Sequence, residues 1–197
     1  MCMGEIQCRK EVGYMFYEMT IAGLKRQLPL CRVTDDLYIG AFIMFGDVEI
    51  TKACATELLK KAPEFDIMVT AESKGIPLVY EMARQAGVND YVVCRKGPKV
   101  YMDNVVYTDV NSITTDHVQT LCLGQDDIDK LKGKRVLIVD DVISTGGSLK
   151  SIETLVNQVG GNIVGKMTVL AEGDAADRDD IVCLEKLPVF NADGTIK

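Results

Sequence analysis

The chain has 197 residues, a formal net charge of −7 and 47% hydrophobic residues. This length and apolar content suit one globular domain with a substantial core, and they exclude a peptide toxin, a repeat array and a disordered tail. The acidic balance, with no long basic run, is not that of a protein that binds nucleic acid or an anionic membrane surface. A phosphorylated ligand would therefore have to meet a few donors placed locally.

The cysteines and the apolar stretches predict a cytoplasmic protein. Seven cysteines are scattered along the chain without a Cys-x-x-Cys pair, which is typical of buried thiols in a reducing compartment. The N-terminal segment has no apolar core of signal-peptide length, and the longest apolar stretch, Leu37 to Phe45, is too short to span a bilayer. We therefore expect no membrane partner.

The first segment carries a helical pattern. Apolar residues recur at positions i, i+3, i+4 and i+7: Val12, Met15, Phe16 and Met19. This spacing predicts an amphipathic helix over 11–28 that ends before Pro29. The apolar run 37–45 then predicts an extended segment, followed by a helix that is capped by Asp47 or Thr51.

From Asp66 onward, strands and helices alternate. A helix is predicted to open at Gly75-Ile-Pro77 and to stop at Gly87, and a second helix is predicted over 148–159. Short apolar runs predict four strands: 67–70, 91–94, 135–139 and 162–170. This order predicts an α/β fold with a mostly parallel sheet covered on both faces. Ligands of such sheets bind beyond the carboxyl ends of the strands.

The loop after the third strand has the composition of a phosphate site. The strand ends in Asp140 and Asp141, a pair that several α/β folds use for a metal or a phosphoryl group. Five small residues follow and open a helix: Ser144, Thr145, Gly146, Gly147 and Ser148. Backbone N–H groups, hydroxyls and the positive helix end would hold a monophosphate there. The two carboxylates can accept hydrogen bonds from vicinal hydroxyls or face a hydrated Mg²⁺, so the composition suggests a ribose 5-phosphate.

Residues 136–148 resemble the phosphoribosyl pyrophosphate (PRPP) signature of the type I phosphoribosyltransferases, with four hydrophobic residues, two acidic ones and a Thr-Gly-Gly-Ser turn. The similarity extends over about 42–170. It implies a type I phosphoribosyltransferase-like fold, with a mostly parallel central sheet, flanking helices and a mobile lid loop. It also implies a core at 48–170, a small hood built from 1–47 and 171–197, and a homodimer.

Two further loops resemble pyrophosphate-binding elements of this family. Residues 70–75 are similar to the Asp-Ser-Arg-Gly element of adenine phosphoribosyltransferases, which implies that Glu72, Ser73, Lys74 and Gly75 bind pyrophosphate, with Lys74 in place of arginine. The run 95–99 resembles the Arg-Lys-x-Gly-Lys opening of the lid in purine enzymes. The residues implied there are Arg95, Lys96 and Lys99.

The resemblance also implies residues for the purine-binding end. The run 43–47 resembles a Gly-x-x-Phe-x-Asp element whose aromatic ring stacks on the base, which implies Phe45, with Phe42 as its substitute and Val142 nearby. Core packing is the competing interpretation of both rings. The C-terminal part, with the acidic stretch from Glu172 to Asp180 and the strand predicted over 181–190, either closes over the base or presents its carboxylates as a solvated face, and the solvated face is favoured.

The lid departs from the adenine enzymes. Their Leu-Glu-Tyr-Gly element is missing, and the run 112–115, Ser-Ile-Thr-Thr, is closer to the xanthine enzymes and the purine-repressor relatives. The single histidine, His117, has no visible partner, and a role as general base is not favoured. The residue that handles the purine proton is therefore open.

Taken together, the resemblance implies an Mg²⁺-dependent purine phosphoribosyltransferase that converts adenine and PRPP to AMP and pyrophosphate. The residues expected to carry the reaction are Asp140, Asp141, Lys74, Arg95 and Lys99. The alternatives are the use of xanthine or of hypoxanthine and guanine, a non-catalytic protein that senses PRPP, and an orotate transferase.

Overall fold

The computed structural model describes residues 15–108 and 120–197. A short 3₁₀ helix spans Gly173–Asp177. The helices are α1 (Val48–Lys61), α2 (Ile76–Ala86), α3 (Gln125–Leu131) and α4 (Gly147–Gln158). The strands are β1 (Phe16–Ile21), β2 (Leu24–Arg32), β3 (Tyr38–Gly40), β4 (Ile67–Ala71), β5 (Tyr91–Cys94), β6 (Val106–Tyr107), β7 (Cys122–Leu123), β8 (Arg135–Ile143), β9 (Asn162–Glu172), β10 (Val182–Leu187) and β11 (Val189–Phe190).

The centre of the molecule is a five-stranded sheet in the order β10-β9-β8-β4-β5, with every neighbouring pair parallel. All five residues of β4 are buried. A parallel strand that helices cover on both faces reads as a continuous apolar run, which is why the sequence located these strands correctly. The predicted α/β fold with a parallel sheet is confirmed. The carboxyl ends of β4, β5, β8 and β9 consequently meet at one edge.

Strand β8 is longer than predicted. The prediction ended it at Val139, whereas pairing with β9 continues to Ile143, with Asp140 opposite Thr168. Carboxylates are uncommon inside strands and therefore signal a strand end in the sequence. Here the backbone ladder to β9 holds both aspartates within the strand.

The helices begin and end as their capping residues indicate. The Asp47 carboxylate accepts a hydrogen bond from the backbone N–H of Ile50 at the start of α1, so Asp47 rather than Thr51 is the cap. Helix α2 carries Pro77 in its first turn, and Gly87 closes it with φ +70°. Gly87 adopts this left-handed conformation without a Cβ penalty.

The N-terminal helix predicted over 11–28 is wrong. The described part of that stretch forms the antiparallel hairpin β1-β2, with Ala22 and Gly23 at positive φ in the turn. Along β1 every second side chain, those of Tyr17, Met19 and Ile21, turns inward. Met15, Phe16 and Met19 therefore matched a helical spacing by coincidence, and the alternation with the turn was the decisive signal.

A second, four-stranded sheet follows the order β1-β2-β3-β11. Its last strand comes from the far end of the chain, since Val189 and Phe190 pair with Ile39 and Tyr38 of β3. The preceding strand β10 instead joins the central sheet beside β9. The C-terminal segment is thus shared between the two sheets.

Apolar side chains pack into two clusters. One contains Phe42, Met44 and much of α1 and α2, and the other contains α4 with Ile138 and Ile143 of β8. Within 15–108 and 120–197, no helix is long and apolar enough to cross a membrane. His117 and the Ser112–Thr115 run lie outside the described residues.

Candidate functional site

The small-residue loop after β8 forms a concavity at the start of α4. Gly146 is the N-terminal cap of the helix, at φ +79°, and no side-chain hydrogen bond caps this end among the described residues. The cavity measures about 60 Å³, and its lining includes all five predicted residues, Ser144, Thr145, Gly146, Gly147 and Ser148, together with Val142. Uncapped N–H groups, hydroxyls and the helix dipole converge there, as a phosphate requires.

The two aspartates lie beside this concavity and are almost fully buried. Asp140 is 7% exposed and Asp141 is 3% exposed. One oxygen of Asp140, Oδ1, accepts hydrogen bonds from Ser73 Oγ at 3.1 Å and from the backbone N–H of Asp141 at 3.0 Å. Burial, and after it the neighbouring Asp141 carboxylate, raise the pKa of Asp140 to about 7. A buried carboxylate pair is costly in a ligand-free protein, which is typical of a binding site.

The burial of Asp140 leads to a prediction about stability in the absence of ligand and metal. Since the pKa is raised in the folded state, folded protein binds more protons than unfolded protein between about pH 4 and pH 7, and stability falls as pH rises through this window. Asp140→Asn cannot ionise, so we expect it to be more stable than the native protein at pH 8, by about 2 kcal/mol. Urea unfolding at pH 5 and pH 8 with a chelator measures this.

The control for this prediction is Asp66→Asn. Arg135 donates hydrogen bonds to Asp66 and lowers its pKa to about 2. This variant should therefore lose stability at pH 8, the opposite sign. Equal stability of Asp140→Asn and native protein at pH 8 would contradict the assigned cost of the buried charge.

The loop after β4 is packed directly against Asp140. A Cβ built on Gly75 would lie 2.8 Å from Thr70 Oγ1 and 2.9 Å from Asp140 Oδ1. Contacts this short force a neighbour to move, because the interior is closely packed. Gly75 is thus the point where the β4 and β8 loops touch.

We expect Gly75→Ala to displace the Asp140 carboxylate and to lower the free energy of unfolding by roughly 1–3 kcal/mol. The matched control is Gly97→Ala, because no atom lies within 4 Å of a Cβ built on Gly97. Thermal unfolding of both variants tests this prediction. A Tm of Gly75→Ala equal to that of Gly97→Ala would contradict it.

Lys74 links the segment that follows β3 to the aspartate pair. Its Nζ donates a hydrogen bond to the backbone carbonyl of Phe42 at 2.7 Å and lies 3.0 Å from Asp141 Oδ2. The latter contact is an ion pair without hydrogen-bond alignment, so Asp141 Oδ2 stays without a hydrogen bond. Lys74 therefore neutralises part of the buried charge of Asp141, and its role at the pyrophosphate stays a prediction.

Glu72 contacts three basic residues of the loop after β5. Its Oε1 lies 3.4 Å from Arg95 Nη2 and 3.6 Å from Lys99 Nζ, and its Oε2 accepts a 2.9 Å hydrogen bond from the backbone N–H of Lys96. These contacts, the Lys96 hydrogen bond foremost, lower the pKa of Glu72. The buried Arg95 Nε has no hydrogen-bond partner among the described residues. The predicted cations therefore do meet at the same sheet edge, where Glu72 orients them.

A family model described as "Phosphoribosyl transferase domain" matches residues 48–194, a stretch that contains the aspartate pair, the small-residue loop and both neighbouring loops. The chain belongs to the phosphoribosyltransferase family.

The curated relatives of this phosphoribosyltransferase carry different names. An adenine phosphoribosyltransferase of Acetivibrio thermocellus is 34% identical over 65% of this chain and 73% of its own length. The purine biosynthesis transcriptional repressor PurR of Bacillus subtilis is 30% identical over 65% of this chain, but only 45% of the repressor is covered. An orotate phosphoribosyltransferase of Caldanaerobacter subterraneus is 30% identical over 71% of this chain and 63% of its own length.

Solved structures agree on the fold. The crystal structure of an adenine phosphoribosyltransferase from Thermoanaerobacter pseudethanolicus matches with a TM-score of 0.60 and 23% identity, over 87% of this chain and 95% of that one. The type I phosphoribosyltransferase fold implied by the sequence is confirmed, and adenine-type enzymes are among the relatives to which this chain is similar.

The two candidate rings of this phosphoribosyltransferase lie in different surroundings. Phe42 is 4% exposed and packs in the core cluster with Met44, whereas Phe45 is 58% exposed. The Phe42 ring therefore serves the core, and Phe45 is the ring that solvent and a ligand can reach. Val142 is half-buried against the core and lines the small concavity beside the aspartates.

One buried residue at this sheet edge was missed by the sequence analysis. Glu172 lies at the carboxyl end of β9 and is buried, so the interpretation of 172–180 as a solvated face is wrong at this position. Burial raises the pKa of Glu172, and Lys74 partly offsets the rise. The rule that ligands meet strand ends would have found Glu172.

Proposed function

We propose that this phosphoribosyltransferase transfers the phosphoribosyl group of PRPP to a purine, with adenine as the first choice. The observation that carries the proposal is the buried pair Asp140 and Asp141, set between a phosphate-shaped loop and a cluster of cations. PRPP consists of a 5-phosphate, a ribose and a pyrophosphate. These three groups match the small-residue loop, the aspartate pair and the cluster of cations, in that order.

In the proposed reaction, a purine ring nitrogen attacks the anomeric carbon of PRPP and the carbon–oxygen bond to pyrophosphate breaks. The bonding electron pair leaves with pyrophosphate, and the proton of the ring nitrogen passes to solvent. Positive charge grows on the ribose in the transition state while negative charge grows on the leaving group. Fixed charges of opposite sign at the two ends lower the barrier, since the enzyme then binds the transition state more tightly than the substrate.

The aspartates serve the ribose end of this reaction. Their oxygens accept hydrogen bonds from the two ribose hydroxyls, and their negative charge favours the positive ribose. Ser73 and Lys74 hold the pair in place, through Asp140 and Asp141 respectively. The protein supplies no nucleophile.

Arg95 and Lys99 serve the leaving group. In the ligand-free protein both face Glu72, which keeps two cations within reach of each other and of the sheet edge. Pyrophosphate carries more charge than one carboxylate and can accept hydrogen bonds from both cations.

The residues at the site also fit a magnesium ion. Residues 15–108 and 120–197 contain no cluster of three or more His, Cys, Asp or Glu side chains that could hold a metal by itself, so the ion would need ligands from the substrate as well. Asp140 and Asp141 offer hard oxygen ligands, and the remaining ligands would come from PRPP itself. The chemistry that a magnesium ion would supply there is neutralisation of the charge on the pyrophosphate leaving group.

The choice of adenine rests on the relatives, because two of the more similar curated proteins are adenine phosphoribosyltransferases at 34% identity. Xanthine, hypoxanthine and guanine are the alternatives within the same reaction. The PurR relative supports a second candidate, a protein that binds PRPP without catalysis. That relative is matched over less than half its length.

The deciding experiment incubates the purified protein with PRPP, Mg²⁺ and one base at a time, with nucleotide detected by chromatography. The bases are adenine, hypoxanthine, guanine, xanthine and orotate. AMP as the main product is the expected result. PRPP binding without product from any base would reject catalysis in favour of the sensor, and OMP alone would reassign the base.

A further inference from the structure

The guanidinium of Arg178 lies over the small-residue loop, although Arg178 is far from that loop in sequence. A Cβ built on Gly146 would lie 2.9 Å from Arg178 Nη1. Gly146 is the residue that caps α4, where the uncapped N–H groups converge. A cation therefore lies next to Gly146, one of the residues that line the concavity to which the proposed function assigns the 5-phosphate.

Arg178 is held there by a fork to Asp180. Its Nε donates to Asp180 Oδ1 at 2.9 Å and its Nη2 to Oδ2 at 2.8 Å. This two-bond geometry fixes the plane of the guanidinium and leaves Nη1 on the side that faces Gly146. Among the described residues, Nη1 makes no hydrogen bond.

Asp180 is in turn anchored to the central sheet. Lys166 of β9 places its Nζ 2.5 Å from Asp180 Oδ2 and 2.6 Å from Glu153 Oε1 of α4. The chain of charges thus runs from α4 through β9 to Arg178. Because α4 also carries the phosphate loop at its N-terminus, the network ties the cation and the loop to one helix.

The loop itself has no positively charged side chain. Residues 144–148 are Ser, Thr, Gly, Gly and Ser, all neutral, so the helix end and hydroxyls alone would face a phosphate dianion. Arg178 Nη1, which lies beside Gly146, would add a donor with a full positive charge to these neutral donors. We propose that Arg178 binds the phosphate monoester of the substrate, and that Asp180 is its positioning residue.

This inference rests on the proposed function, since it assigns a residue to the same phosphate subsite. The glycine at position 146 is required by its backbone, because a φ of +79° is strained for any other residue. A Cβ there would also displace the end of the flexible Arg178 side chain. The consequence is that a residue of the C-terminal segment makes the protein prefer a ribose with a 5-phosphate over a ribose without one.

The test compares the native protein with Arg178→Ala, Arg178→Lys, Asp180→Asn and the control Lys186→Ala. Lys186 is an exposed cation of the same segment that pairs with Asp177. Calorimetric titrations use ribose 5-phosphate, PRPP and pyrophosphate as separate ligands, and circular dichroism gives the Tm of each variant.

We expect Arg178→Ala to weaken the binding of ribose 5-phosphate and PRPP by about 10- to 100-fold, the range of one charge-assisted hydrogen bond. Pyrophosphate affinity should stay unchanged, because that ligand has no 5-phosphate. Arg178→Lys keeps the charge but cannot fork Asp180, so its loss and that of Asp180→Asn should be intermediate. In turnover, the KM for PRPP should rise with kcat retained, and Lys186→Ala should match the native protein.

The remaining outcomes separate a failure of the inference from a failure of the proposed function. Native affinity for ribose 5-phosphate in both Arg178 variants would overturn the inference, and so would an equal loss for pyrophosphate, which indicates a general structural role. If Arg178→Ala fails to fold, Arg178→Lys decides by the same criterion. If the native protein binds neither ribose 5-phosphate nor PRPP, the proposed function itself fails.

Discussion

Replacing Asp140 and Asp141 together by asparagine is expected to lower kcat/KM for PRPP by about 1,000-fold while the protein stays folded. Asparagine keeps the shape of each side chain and can still accept from Ser73 and from the backbone, so the loop geometry survives. The two negative charges that favour a positive ribose are lost. Initial rates at several PRPP concentrations, together with circular dichroism spectra, measure both parts of the expectation.

The matched control is another Asp-Asp pair of the chain, Asp35 and Asp36 between β2 and β3, whose side chains are 90% and 82% exposed. Replacing both by asparagine changes the net charge by the same amount away from the site, so turnover should stay near the native rate. If the Asp140 and Asp141 double variant kept native turnover, the assignment of the ribose site would be wrong.

Phe42→Ala and Phe45→Ala are expected to affect different properties, the first the stability and the second the KM for the purine. Phe42 is buried in the core, so its truncation should cost about 3–5 kcal/mol of stability. Phe45 is largely exposed, so Phe45→Ala should change stability little and instead raise the KM for the purine by about tenfold, the value of one lost base–aromatic contact. Urea unfolding and base-dependent kinetics separate the two effects.

Tyr80→Ala is the control for the exposed ring, because Tyr80 on α2 is as exposed as Phe45, at 58%. Its KM for the purine should stay at the native value. A native KM in Phe45→Ala would show that a different residue contacts the base. A native stability of Phe42→Ala would contradict the assignment of its ring to the core.

The parallel sheet and its loops could be predicted because their signals are local. A strand such as β4, buried on both faces, is a continuous apolar run, and each helix start carries its own proline or capping residue. Once the strands are known, chain order places the β4, β5 and β8 loops at one edge. The aspartate pair, the small-residue loop and the basic loop were found in this way.

The hairpin β1-β2 was missed for an equally physical reason. Three residues, Met15, Phe16 and Met19, fit a helical period, but the pairing of Tyr17 with Leu28 and its neighbours decides the structure. Such pairing joins residues that are apart in the chain, and a short periodic pattern does not report it. The extension of β8 past Asp140 has the same origin, in its ladder to β9.

The sequence by itself determined the fold class, the sheet edge that carries the candidate site and the residue types that are proposed to bind a phosphorylated ribose, because short-range patterns encode each of these. Only the tertiary structure decided which charges face one another. Lys74 lies against Asp141, Glu72 holds Arg95, and Arg178 reaches Gly146. The energy of an ion pair depends on the distance between its two charges. Side chains from different loops come close enough only once the sheet has formed.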